Sequence, residues 1–146
     1  MSAQIYVDAH REMLRWHVEE QSGRPHQRSP AEHEHDYEVT VSAILYVLRV
    51  GLEAWPFLLD AIAIAAGDDE LLQYLGAGDL ESLILRHGDE LIDEIETRAP
   101  NDRALRVALS NVWGFGPVED RIVKLLAAHG PLTTNPRDNP PPIPRT

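Results

Sequence analysis

The sequence predicts an all-α protein, and three observations carry that prediction. Apolar residues recur at spacings of three and four through most of the chain, helix caps and stops punctuate them at short intervals, and no strand-like alternation of useful length occurs. The expected architecture is a compact multi-helix bundle, with a short HEAT-like arrangement of helix pairs as its variant. A chain of 146 residues can bury one continuous core. The expected organisation is therefore a single helical domain over residues 1–131, with a flexible loop at 21–29, followed by a disordered proline-rich tail at 132–146.

In the first segment Ile5, Ala9, Met13 and Trp16 recur at helical spacing, while Asp8, Arg11, Glu12, Arg15 and Glu19 gather elsewhere. An amphipathic helix with the first set inward follows from this. Residues 21–28 are polar, hold Gly23 and Pro25, and lack an apolar period, so they read as a mobile loop. Ser29-Pro30-Ala31-Glu32 joins a capping serine, a proline at the first helical position and a glutamate placed to complete a capping box. The helix that it opens is expected to reach about Val50. Its second half, residues 41–48, is apolar nearly all round, which predicts a central helix with neighbours on several sides.

Gly51 interrupts the pattern. Trp55, Leu58, Leu59, Ile62 and Ala65 resume it, with Pro56 in a first turn, where its missing N–H costs least. Gly67 ends this helix, and Asp68 and Asp69 offer capping oxygens to a short one through Leu71, Leu72 and Leu75 that Gly76 closes. Further helices are expected at 79–87, 89–99 and 102–113. Gly88 separates the first two, and the third buries Leu105, Ala108, Leu109 and Val112. A last amphipathic helix carries Val118, Ile122, Leu125 and Leu126 and stops at Gly130 and Pro131. Trp55 and Trp113 are expected to anchor the core, and Trp16 to make a helix contact.

Composition narrows function. Without cysteine there is no disulfide, thiol nucleophile or thiolate metal site. The N-terminus lacks the features of a secretory signal, so a cytoplasmic location is expected. The most apolar stretch, residues 41–66, is broken by Arg49, Gly51, Glu53, Pro56 and Asp60, whereas a membrane span needs about 20 nearly uncharged residues. No membrane association is expected. The net charge of -11 is concentrated: residues 51–98 hold twelve carboxylates against Arg86 and Arg98. Such a field repels phosphate backbones and steers basic molecules inward, which predicts no nucleic-acid binding and a basic protein partner.

The candidate chemical constellations read as surface. In Glu32-His33-Glu34-His35-Asp36 the two histidines would point about 200° apart on a helix, whereas a helical metal pair needs a spacing of three or four. No metal or cofactor site is expected. Asp89, Glu90, Asp93, Glu94 and Glu96 crowd one helix, but Leu91, Ile92, Ile95 and Ala99 occupy its buried face, which turns the acids outward. Ser42, Ser82 and Ser110 have no Gly-x-Ser-x-Gly elbow, and Gly76-Ala77-Gly78 lacks the remainder of a phosphate loop. Gly78-Asp79-Leu80-Glu81 leading to His87-Gly88 is echoed by Gly116-Pro117-Val118-Glu119 leading to His129-Gly130. The echo fits a helix-pair repeat, and it fits shared capping of unrelated helices.

These observations favour a non-enzymatic interaction module, an immunity- or antitoxin-like inhibitor that offers Asp68, Asp69, Glu70, Asp89, Glu90, Asp93, Glu94 and Glu96 to its partner. A helical-repeat adaptor with a groove between helix pairs is the alternative. An enzyme combining carboxylates with His87, or a metal-binding protein, ranks below both.

One resemblance adds to this. Trp55, Gly78-Asp79-Leu80-Glu81-Ser82-Leu83, His87-Gly88, Ile92-Asp93-Glu94-Ile95-Glu96, Ala99 and Ala108-Leu109-Ser110-Asn111-Val112-Trp113 together resemble a family of small bacterial proteins known as a domain of unknown function. The resemblance implies a helical bundle or short helical-repeat module and brings no activity, cofactor or partner. Where that family commonly has proline in a Gly-Pro-Leu-Glu turn, this chain has Asp79, and the proline stands instead at Pro117.

Overall fold

Seven α-helices account for most of residues 1–129, the residues that the computed structural model describes, and no strand occurs among them. The protein is all-α. The expected tail at 132–146, and the helix stop at Gly130 and Pro131, lie outside the described residues. The chain divides into two compact units, Met1–Ile64 and the residues from Ala65 onward.

In the first unit α1 spans Ala3–Ser22, α2 spans Pro30–Val50, and a 3-10 turn, Gly51–Ala54, leads into α3, Trp55–Ile64. Local chemistry explains the ends. The Ser2 hydroxyl accepts the Ile5 N–H, and Gly23, at φ 66°, closes α1 by donating to the Glu19 and Glu20 carbonyls. Ser29 and Glu32 form the predicted capping box, and Pro30 occupies the first turn. The hydrogen bonds from Ser29 hold the Glu32 carboxyl below its ordinary pKa, with help from the Arg28 guanidinium.

The rotation of α1 differs from expectation. Tyr6, Val7 and Ala9 face inward while Ile5 is 58% exposed. The Tyr6 ring stacks on Phe57 at 5.5 Å, and Tyr46 meets Phe57 edge-on at 5.4 Å, so this aromatic cluster sets which face of α1 is buried. The expectation for residues 41–48 is also overturned. The buried face of α2 is Asp36, Thr40, Ala43 and Val47, whose small members let α1 approach closely. Ile44, Leu45 and Leu48 are left 40%, 58% and 40% exposed.

Burial pushes the His10 imidazole below its ordinary pKa. The unfolded chain then binds a proton more readily than the folded one as pH falls through about 6.5. Stability is therefore expected to decline below that pH. In urea titrations at pH 7.5 and 5.5, His10→Gln should show a smaller decline than the parent, and an equal decline would refute the assignment.

In the second unit α4 spans Asp69–Leu75, a π-helical turn covers Gly76–Leu80, and α5 spans Glu81–Arg98. A 3-10 turn at Ala99–Asn101 precedes α6, Arg103–Leu109, and another at Gly116–Val118 leads into α7, Glu119–His129. Asp68 caps α4 by accepting the Leu71 N–H, and Asp102 caps α6 by accepting that of Leu105. The apolar faces expected of α4 to α7 are buried as predicted: Leu71, Leu72 and Leu75; Leu91, Ile92 and Ile95; Leu105, Ala108 and Leu109; Ile122, Leu125 and Leu126.

Two expected boundaries hold in altered form and one expectation fails, each for an identifiable reason. Gly76 closes α4 as its C-cap, as expected, but without the left-handed turn usual for a capping glycine. Its backbone stays right-handed helical at φ −67°, and its missing side chain makes room for the Ala108 carbonyl of α6. The segments expected at 79–87 and 89–99 are both present within α5, separated by a kink where the His87 backbone leaves the helical region (φ −134°, ψ 22°), next to Gly88, which lies under Val118. The helix expected at 102–113 ends at Leu109. The Ser110 hydroxyl donates to the Arg106 carbonyl and the Asn111 amide to that of Val107, so polar side chains turn back onto the last turn. Trp113 consequently leaves the core and is 46% exposed, and Phe115 is fully buried. No helix among the described residues is long and apolar enough to cross a membrane.

Candidate functional site

The eight acidic candidates separate into two sets. Asp68 uses its side chain as a helix cap. Asp69 accepts two hydrogen bonds from Arg103, at 3.1 and 3.0 Å. This contact holds the Asp69 carboxyl below its usual pKa and raises that of the guanidinium. Asp93 and Glu96 converge on Arg121 of α7: Asp93 accepts at 2.9 Å, and Glu96 accepts from both Nε and Nη2. The Glu96 contact leads in raising the pKa of Arg121. Asp68, Asp69, Asp93 and Glu96 therefore have intramolecular work. Glu70, Asp89, Glu90 and Glu94 are exposed.

Glu70 borders a feature that the sequence did not reveal. Residues 70, 74 and 77 lie at helical spacing on the outer side of α4 and the turn after it. Together with Gln73, Asn111 and Trp113 they line a surface hollow of about 290 Å³. Tyr74 and Trp113 are 47% and 46% exposed there. Tyr74 points outward because Leu71, Leu72 and Leu75 take the other side of α4. Trp113 is delivered by the turn that Ser110 and Asn111 begin. The clue in the sequence was Ser110-Asn111 ahead of Gly114, two residues that favour helix termination.

In the first unit the indole of Trp16 lies parallel to two imidazoles. The His26 ring is 3.4 Å away at 2°, and the His33 ring 3.8 Å away at 8°. His33 belongs to the Glu32-His33-Glu34-His35-Asp36 run, and its ring is spent on this stack. Arg28 grips the buried Asp36 through Nε at 3.0 Å and Nη2 at 2.9 Å. Among the described residues no group of three or more His, Asp and Glu side chains is arranged to hold a metal ion.

The fold and these surfaces define a small all-α protein with ion-paired helices and an acid-edged aromatic hollow. The chain belongs to a family of unknown function, DUF6869, whose model matches residues 26–130. The match extends beyond the stretch from Trp55 to Trp113 on which the resemblance rested. Neither the curated proteins nor the solved structures compared with it give a match.

Proposed function

We propose that the protein is a non-enzymatic interaction module that holds a basic protein partner at the hollow bordered by Glu70, Tyr74 and Trp113. The role is that of an immunity- or antitoxin-like inhibitor. The observation that carries this reading is the pair of half-exposed aromatic side chains beside a solvent-facing carboxylate. Tyrosine and tryptophan supply much of the energy at protein interfaces, and an aromatic face next to a carboxylate suits an arginine or lysine side chain. Between residues 65 and 129 thirteen carboxylates stand against six basic side chains, a field that speeds the approach of a basic surface.

Asp89, Glu90 and Glu94 contribute to that field at longer range. Reversing Asp93 or Glu96 is a poor probe of it, because each also anchors Arg121. The test is affinity capture on the immobilised full chain, repeated with Trp113→Ala, Glu70→Lys and the triple reversal Asp89→Lys, Glu90→Lys, Glu94→Lys. The first two should weaken retention of a basic protein by about tenfold or more, with binding that falls as salt rises. The triple variant should mainly slow association. Retention undiminished by Trp113→Ala and Glu70→Lys would overturn the reading.

A further inference from the structure

α2 carries a second apolar face, apart from the one that packs on α1. Val41, Ile44, Leu45 and Leu48 share one side of the helix. Tyr37 precedes them at 56% exposure and Leu52 follows just past the helix at 38%. The pattern is palindromic. About the midpoint between Ile44 and Leu45, Val41 mirrors Leu48, and Tyr37 mirrors Leu52. A stripe of this kind is its own complement when a second copy lies against it antiparallel, since a two-fold axis through the midpoint sets Val41 on Leu48 and Ile44 on Leu45.

The charges at its border select the same arrangement. Glu38 and Arg49 are both exposed and lie eleven residues apart, three turns along one edge of the stripe. In the antiparallel pairing Arg49 of one copy falls opposite position 40 of the other, about 3 Å along the axis from Glu38 and on the same flank. Opposite charges then meet twice. A parallel two-fold pairing would instead put the two copies of this charged edge on opposite flanks, where Glu38 and Arg49 of different copies do not meet.

We infer that this face of α2 is an isologous, antiparallel interface with a second copy of the chain, independent of the hollow in the second unit. A single helix-to-helix contact lies at the small end of specific interfaces, so the dimer is of moderate affinity and forms reversibly with concentration. Sedimentation equilibrium over a concentration series should show a monomer–dimer equilibrium, which Leu45→Glu weakens by about a hundredfold. Glu38→Arg and Arg49→Glu should each weaken it, and the double swap should restore it.

The chain has no cysteine, so introduced thiols report orientation without background. Leu45→Cys should cross-link to itself, whereas Val41→Cys should cross-link only when mixed with Leu48→Cys. A chain that stays monomeric throughout the series would overturn the inference. So would a dimer insensitive to Leu45→Glu, or Val41→Cys cross-linking efficiently to itself.

Discussion

Replacing Gly76 with alanine is expected to lower stability by about 3 kcal/mol, at the upper end of ordinary overpacking costs. The same change at Gly78 should leave stability unchanged or raise it by up to about 1 kcal/mol. A Cβ at Gly76 would lie 2.0 Å from the Ala108 carbonyl oxygen, 2.8 Å from its carbon and 3.1 Å from its Cα. These are backbone atoms of α6, which has no rotamer to change. Only a displacement of α6 relieves the clash, and that disturbs the packing of Leu72, Leu75, Leu80 and Leu105, all essentially inaccessible to solvent. At Gly78 nothing lies within 4 Å of the added carbon, so alanine there only restricts the unfolded chain and improves helix propensity.

Gly88 supplies the intermediate case. Its Cβ would meet Val118 Cγ2 at 2.9 Å, the end of a side chain that can yield. Urea midpoints followed by circular dichroism should therefore rank Gly78→Ala above Gly88→Ala above Gly76→Ala. If Gly76→Ala and Gly78→Ala unfold at the same denaturant concentration, the close approach of α4 and α6 is refuted.

These glycines show where the sequence was legible. Signals that act within one helical turn were read correctly: the Ser29 and Glu32 capping box, the Asp68 and Asp102 caps, and the inward faces of α4 to α7. Each depends on residues three or four apart. A glycine ending an apolar run marks a helix end, and Gly76 does close α4. The reason that only glycine fits there lies 32 residues away, at Ala108.

The candidate site failed to show for the same cause. Arg103 reaches Asp69 across 34 residues, and Arg121 reaches Asp93 and Glu96 across 28 and 25. No local pattern announced that those acids have partners within the chain. Apolarity identified Ile44, Leu45, Leu48 and Trp113 as residues that avoid water but could not say which have a neighbour to cover them. Those are the residues on which both proposed surfaces now rest.

The second large effect is expected at Trp16. Trp16→Ala should cost about 2 kcal/mol, since each aromatic stack contributes about 1 kcal/mol beyond buried area. It should also release residues 23–29 to protease. Two rings nearly parallel to one indole and within 4 Å of it cannot share a face, so His26 and His33 lie on opposite sides of Trp16. The stack joins three segments: α1 through Trp16, α2 through His33, and the connection between them through His26.

Further contacts fasten the connection in the same place. His26 Nδ1 faces Glu19 Oε1 at 3.3 Å, and Nε2 faces Glu20 Oε1 at 2.7 Å. Carboxylates only accept, so both contacts are hydrogen bonds at once only when the ring carries two N–H groups. In that form it also presents a cation to the indole face. Glu19, 5% exposed, accepts the Gln27 N–H through its other oxygen. Arg28 holds the far end to Asp36 independently of the stack.

Removing the indole therefore separates two anchors. Trypsin should cut after Arg28 many times faster in Trp16→Ala than in the parent, while His33→Ala, which removes one ring of the stack, should fall between them. Unchanged cleavage at Arg28 together with an unchanged urea midpoint would mean that the Arg28–Asp36 pair alone holds this connection and that the stack contributes nothing to it.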